Sequence, residues 1–372
     1  MMHLQDTLQS VAALPADRPM TMPGAFYTCA AQFEHEARTV LRQNWHCLGR
    51  VDEVPEPGDD FTAQLLDEPL LVVRGDDGVI RVLANVCRHR GMPLAEGRGN
   101  VKRFICSYHA WMYARDGALL RAPRMENAGF DASTCRLHQH RTQLWNGFIY
   151  ATLDERAEAF EHPELDAMLA PYEPEAFRLA HVAEENWQTN WKCLVENFME
   201  GYHLSVVHPK TLHGYTPTGL SRKLVTGDGY TSYAANYPEG IPTRGMGAAG
   251  LSEAERMRSS LFAKFPTQVA SQAASLLVSL YLFPINEGLV RVKWTLSTYG
   301  DDLDADTIAQ RIALWEEVNR EDREKLERMQ VALGSAHAQS GPLAGDDFEG
   351  TIRDFQLWLA AQDRIATQAA CS

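Results

Sequence analysis

Between Trp45 and about Leu153, apolar and polar residues alternate over short runs, the period-two pattern of half-buried strands. Leu70-Leu71-Val72-Val73-Arg74 and Val79-Ile80-Arg81-Val82-Leu83 flank Gly75-Asp76-Asp77-Gly78, which predicts a hairpin. A second Asp-Gly turn lies within Tyr113-Ala114-Arg115-Asp116-Gly117-Ala118-Leu119, and Gly147-Phe148-Ile149-Tyr150-Ala151 closes the block. Ahead of it, residues 1 to about 40 read as a helical lead-in broken by Pro15, Pro19 and Pro23. Beyond about residue 155 the pattern changes. Pro163, Pro171 and Pro174 mark a linker, and a helical period then predicts a helix from about Trp187 to Val207. On it Trp187, Trp191, Leu194, Phe198 and Tyr202 share one face. Residues 215–250, rich in Gly, Tyr and Pro, show little periodicity and read as a lid or loop. Leu276 to Ser297 reads as strands around a turn at Pro284–Gly288, and a long helix is predicted from about Asp304 to Leu333.

A chain of 372 residues accommodates two domains, and 45% apolar with 23% charged residues is ordinary for a globular protein. Thirty-five basic residues against forty-nine acidic ones give a net charge of −14, with no basic stripe to neutralise phosphates, so nucleic acid is not the expected partner. The seven cysteines are odd in number and scattered, unlike a secreted disulfide framework. No signal-peptide pattern opens the sequence. The most apolar run, Val269 to Ile285, contains Ser271, Gln272, Ser275, Ser279 and Pro284 and is too short and polar to cross a membrane. A reducing cytoplasm is the expected setting.

Two motifs add chemistry. Cys87-x-His89 and Cys106-x-x-His109 each pair a thiolate with an imidazole ligand on loops of the β block. A [2Fe–2S] centre with two Cys on one iron and two His on the other needs this inventory; a tetrahedral Cys₂His₂ zinc site is the alternative. Further on, Glu196-Asn197-Phe198-Met199-Glu200-Gly201-Tyr202-His203 leads to His208-Pro209. His203 and His208 are about 140° out of phase on a regular helix, so they share a metal only if the helix unwinds between them. Pro209 disfavours helical geometry at His208. On the long C-terminal helix, Asp322 projects into the apolar stripe Ile308, Ile312, Trp315, Asn319, Leu326, Met329, Leu333, whereas Glu316, Glu317, Glu321, Glu324 and Glu327 lie off it. A carboxylate on a buried face needs a partner, either a metal or an Arg or backbone amide. Two His and one carboxylate form the facial triad of non-haem iron oxygenases.

In the order and spacing of these motifs, the chain resembles the α-subunits of Rieske non-haem iron oxygenases over essentially its whole length. The resemblance implies an α+β fold, with an all-β Rieske domain (41–155) joined to a helix-grip catalytic domain (156–372), the lead-in 1–40 packing on the latter. It implies that Cys87, His89, Cys106 and His109 hold a [2Fe–2S] cluster and that His203, His208 and Asp322 hold one Fe(II). A separate flavin/iron–sulfur reductase would supply electrons, and a homotrimer would let them pass through His109 and Glu200 of adjoining subunits. Most of the family places Asp three residues before the first iron-ligating His. Glu200 in that position is similar to the branch acting on carnitine, glycine betaine, choline and stachydrine. Ser107 and Ala110 stand where many members carry Pro and Gly.

The expected activity is therefore O₂-dependent hydroxylation, with N-demethylation, of a small quaternary ammonium substrate. Such a cation would sit over aromatic faces. Phe198, Tyr202, Tyr281 and Trp294 are the leading pocket residues, with Phe283, Tyr215, Tyr233 and Tyr237 behind them. One alternative is hydroxylation or dihydroxylation of an aromatic acid held by Arg222, Arg244 or Arg291. Another is a Rieske electron carrier without oxygenase activity.

Overall fold

The computed structural model describes residues 4–125 and 129–371; the first three residues of the lead-in and residues 126–128 of the β block lie outside them. The chain forms two compact units, Gln43–Ala159 and Met1–Arg42 with Phe160–Ser372. Among the described residues no helix is long and apolar enough to cross a membrane.

The first unit is all-β. Seven antiparallel strands run in the spatial order Trp45–Arg50, Phe148–Thr152, Gln139–Trp145, Ile80–Ala84, Glu68–Arg74, Asp59–Leu65 and Arg98–Asn100. The predicted hairpin is the pairing of Leu71 with Leu83 and Val73 with Arg81. A smaller sheet of Phe104–Ile105, Met112–Tyr113 and Leu119–Arg121 carries the second Cys–His loop, and Ala114 and Ala118 close its Asp-Gly turn (N to O 2.8 Å). Leu71, Val73, Leu83, Phe104, Trp111, Tyr113 and Leu137 pack around Cys87 and Cys106.

The second unit is built on a seven-stranded antiparallel sheet. Its order is Phe177–Trp187, Leu289–Tyr299, Leu276–Asn286, Gln268–Gln272, Arg258–Lys264, Tyr230–Asn236 and Ser221–Gly227. Helix Ala305–Leu333, with Asp304 as its N-cap, and helix Asp346–Cys371 pack in the same unit. The predicted two-strand block and long helix are both present.

Three sequence expectations change. Residues 215–250 are not one loop, because they contain two strands. Tyr230–Asn236 is buried on both faces and so shows no alternation to read, and Ser221–Gly227 is an edge strand mixing charges with apolar residues. The helix predicted from Trp187 begins at Trp191, because Trp187 ends a strand and Asn190 caps the helix by accepting from the Lys192 amide (2.9 Å). That helix also stops at Phe198, eleven residues before Pro209. Along Ala305–Leu333 the buried face is confined to Trp315, Val318, Asn319, Asp322 and Leu326; Met329 is exposed.

Candidate metal centres

The helix Trp191–Phe198 is fixed from below. Lys192 is fully buried and its Nζ lies 2.6 and 2.7 Å from the two Glu36 carboxylate oxygens. Tyr27 donates its hydroxyl to Glu196 at 2.9 Å. Burial pushes the Glu196 carboxyl up to about 7, although Tyr27 and Lys192 both act against that rise. Seated in this way, the helix cannot extend. The carbonyls of Phe198 and Glu200 accept from the Tyr233 hydroxyl (3.5 and 3.2 Å), and that of Met199 accepts from Thr351. The Gly201 amide donates to the Phe348 carbonyl at 3.0 Å. Gly201 also lies against Ser221 so closely that a Cβ there would come within 2.6 Å of the Ser221 Cβ.

The chain turns at Met199–His203 and resumes as the single turn Leu204–Val207, with His203 at its start and His208 at its end. The interruption therefore falls before His203, not between the two histidines as the proline suggested. Bracketing one short turn brings the rings to 5.2 Å between centroids, 66° apart. Asp322 reaches them from the long helix. One nitrogen of each His and one Asp322 oxygen all lie within 4.8 Å of one another, the one such set of three donors among the described residues.

The supporting contacts favour a metal. His208 Nε2 is buried and lies 3.1 Å from Asp322 Oδ1, yet makes no hydrogen bond; the two atoms converge on common space rather than on each other. His208 Nδ1 meets Glu321 at 2.8 Å, and Glu321 also accepts from the Thr211 hydroxyl at 2.6 Å. His203 Nδ1 meets Glu200, which further accepts from the amides of His203 (3.1 Å) and Tyr202. Both imidazoles thus turn Nε2 inward, each ring held through Nδ1 by a carboxylate, as metal-ligating histidines usually are. Asn197 Nδ2 lies 3.3 Å from Asp322 Oδ1. Burial opposes the imidazolium of His203, but Glu200, Asp322 and Glu349 outweigh it and raise its pKa. The donor set fits a divalent iron.

Glu321 escaped the sequence reading because it lies off the apolar stripe. The signal available was chemical: a ligating His needs an acceptor on its second nitrogen, and Glu321 adjoins the ligating Asp.

The Cys–His motifs form a second candidate centre. Their loops are closed alike, the Cys87 and Cys106 carbonyls accepting from the Gly91 and Ala110 amides at 2.9 and 3.0 Å. Gly91 and Ala110 both have positive φ, 76° and 57°. Gly adopts that region freely whereas Ala is strained there, so Ala110 keeps the loop at a small cost. Cys87 and Cys106 are each 2% exposed, whereas His109 is exposed and lies 4.6 Å from His89 between ring centroids. His89 stacks on Trp111 at 5.0 Å, and its Nδ1 is buried without a partner. Two thiols inside and two imidazoles outside, with no three of these donors converging, match a binuclear cluster better than one tetrahedral zinc. The Tyr113 hydroxyl, 3.4 Å from Cys87 Sγ and accepting from the Arg88 amide at 3.0 Å, was not anticipated from sequence.

The four leading aromatic residues put forward for the pocket are dispersed, whereas Tyr233 lies in a cleft wall. Phe198 is buried against Trp315 (6.4 Å), Tyr202 is 58% exposed, Tyr281 is buried with its hydroxyl on Thr295 (2.9 Å), and Trp294 packs on His181 (4.6 Å). None of these four lines the small cleft whose walls include Leu204, Leu212, Thr216, Tyr233, Arg244 and Trp315. That cleft adjoins the His203/His208 turn. Leu204 follows His203 directly, and the Leu212 amide bonds the His208 carbonyl at 3.2 Å. Of the three arginines considered for a carboxylate, Arg244 is in the wall, Arg222 has a 53% exposed side chain near Asp347, and Arg291 is on the strand Leu289–Tyr299.

Removing the carboxylate behind His208 tests the support. Glu321→Gln is expected to weaken binding of Fe(II) or Co(II) by about 10- to 100-fold, measured by metal titration of the full chain, while the visible spectrum of the cluster is unchanged.

The first unit matches the Rieske [2Fe-2S] domain over residues 44–141, and residues 157–363 match the ring hydroxylating alpha subunit catalytic domain. The carnitine monooxygenase oxygenase subunit of Escherichia coli K12 is 37% identical over 195 residues, 51% of this chain and 52% of that protein. The chain thus spans about half the length of the curated relatives it matches. A quaternary ammonium Rieske monooxygenase in complex with L-carnitine superposes with a TM-score of 0.80 at 24% identity, over 94% of this chain and 99% of the other. Naphthalene 1,2-dioxygenase from Rhodococcus sp. bound to indole gives 0.81 at 19%, over 97% and 98%; these two likenesses concern the fold alone. With the catalytic-domain family matched over more than half its length, the chain belongs to the ring-hydroxylating α-subunits, the Rieske oxygenases whose two domains imply a [2Fe–2S] cluster and a mononuclear iron.

Proposed function

We propose that this chain is the oxygenase component of a multicomponent system that hydroxylates an N-methyl group of a small quaternary ammonium compound. Cys87, His89, Cys106 and His109 hold the cluster within a domain spanning 41–155. His203, His208 and Asp322 hold the iron within 156–372. When bound, the cluster supplies single electrons and the iron supplies O₂ activation.

The observation that carries the reading is Glu200. It stands three residues before His203, with its carboxylate on His203 Nδ1 and only 8% exposed. Glu at this position is the feature of the quaternary ammonium branch, and relatives named for carnitine and glycine betaine share part of the sequence. The first part of Glu200's work is local: it orients His203 and holds two backbone amides at the turn. The second is to face a cluster histidine of a neighbouring subunit in a homotrimer; inter-subunit electron transfer is described for a structurally similar monooxygenase. A separate reductase recharges the cluster, in keeping with relatives that are themselves oxygenase subunits.

Hydroxylation of an N-methyl carbon gives a carbinolamine, which collapses to the demethylated amine and formaldehyde. A second reading, hydroxylation of an aromatic acid, is favoured by Arg244 in the cleft wall. An electron carrier without oxygenase activity would leave the convergence of His203, His208 and Asp322 unexplained.

A substrate panel with a surrogate reductase, following O₂ uptake and formaldehyde, tests this reading. Betaines are expected to give formaldehyde in step with O₂ consumption; hydroxylated aromatic acids without formaldehyde would overturn it. For Glu200, truncation to Ala would unseat His203, so the informative variant is Glu200→Gln, which keeps an acceptor for Nδ1–H. Glu200→Gln is expected to retain cluster and iron on metal analysis while turnover falls by orders of magnitude. Normal turnover would remove Glu200 from the electron path.

A further inference from the structure

The cleft beside the histidine turn contains a buried cation with no ion-pair partner among the described residues. Arg244 is 2% exposed, and its Nε and Nη2 have no hydrogen-bond partner among the described residues. A guanidinium does not lose its proton, so burial cannot neutralise it. The faces of the group are covered, with the Tyr215 and Tyr237 rings 5.0 and 5.6 Å from its central carbon. Those contacts suit the π-face of the cation but leave the in-plane N–H donors unanswered. Nε–H and Nη2–H form one edge of the guanidinium, the edge that takes a carboxylate through two parallel hydrogen bonds. Arg311 adds positive charge nearby, its guanidinium carbon 5.9 Å from the Tyr215 ring.

The histidine turn that adjoins the cleft carries negative charge. Trp315, in the wall, precedes Asp322 by seven residues, about 10 Å along the helix. Asp322, Glu200 and Glu321 gather around the two histidines there. A bare quaternary cation would be repelled by Arg244. A zwitterion carrying ammonium and carboxylate on one short chain matches both charges, and the field orients its N-methyl groups toward the iron ligands.

We propose that Arg244 binds the substrate carboxylate through Nε and Nη2, selecting N-methylated amino-acid zwitterions over choline-type cations. The inference rests on the quaternary ammonium reading for the ammonium end only.

Binding of γ-butyrobetaine and its methyl ester to the oxidised holoenzyme, measured by calorimetry, tests it. The two share the ammonium group and differ in the carboxylate. The wild type is expected to bind the acid about 100-fold more tightly than the ester. Arg244→Leu should weaken the acid by a similar factor, leave the ester unchanged and so abolish the preference, with Arg244→Lys intermediate. Equal binding of acid and ester by the wild type, or a preference that survives Arg244→Leu, overturns the proposal. If Arg244→Leu does not fold, the wild-type pair alone decides. Benzoate separates the two readings: Arg244-dependent binding of benzoate without γ-butyrobetaine keeps the anchor and refutes the ammonium substrate. Binding of neither acid refutes the anchor.

Discussion

The mononuclear centre depends on backbone carbonyls that a helix would ordinarily satisfy and here does not. After Phe198, hydroxyls from other elements take over: Tyr233 for Phe198 and Glu200, Thr351 for Met199. Buried carbonyls must be paired, and with these partners in place the chain is free to bend where Gly201 fits against Ser221. The bend places His203 and His208 at the two ends of one turn.

The electrostatic arrangement follows from that geometry. Each imidazole uses one nitrogen for the centre and the other for a carboxylate, so negative charge is concentrated in a largely buried volume. Such a volume favours a cation, and a divalent metal meets the requirement without protonating the ligands. The neighbouring cleft is largely apolar, with the Arg244 guanidinium in its wall.

Much of this was legible in the sequence, for identifiable reasons. The Cys–His loops, the hairpin 70–83 and the long helix carrying Asp322 are local patterns, set by turn residues and period. The residues that converge as His203, His208 and Asp322 were legible from residue type and order. What was not legible depends on tertiary partners. Pro209 drew attention to the wrong side of His203, because the break is enforced by Tyr233, Thr351 and Phe348, which are distant in sequence. Glu321 and Tyr113 act through contacts no spacing rule contains. The four leading pocket aromatics lie apart because a helical wheel drawn through Trp187–Tyr202 assumes a continuous helix, and Tyr281 and Trp294 are claimed by strand packing. Arg244 was one of three candidates until burial singled it out.

If the bend at Gly201 builds the iron site, iron content in Gly201→Ala reveals it. The added Cβ would come within 2.6 Å of the Ser221 Cβ and displace the bend. Gly201→Ala is expected to lose the mononuclear iron with the cluster's EPR signal retained, and the double variant Gly201→Ala/Ser221→Gly to regain it. Wild-type iron content in Gly201→Ala alone would contradict that role of the bend.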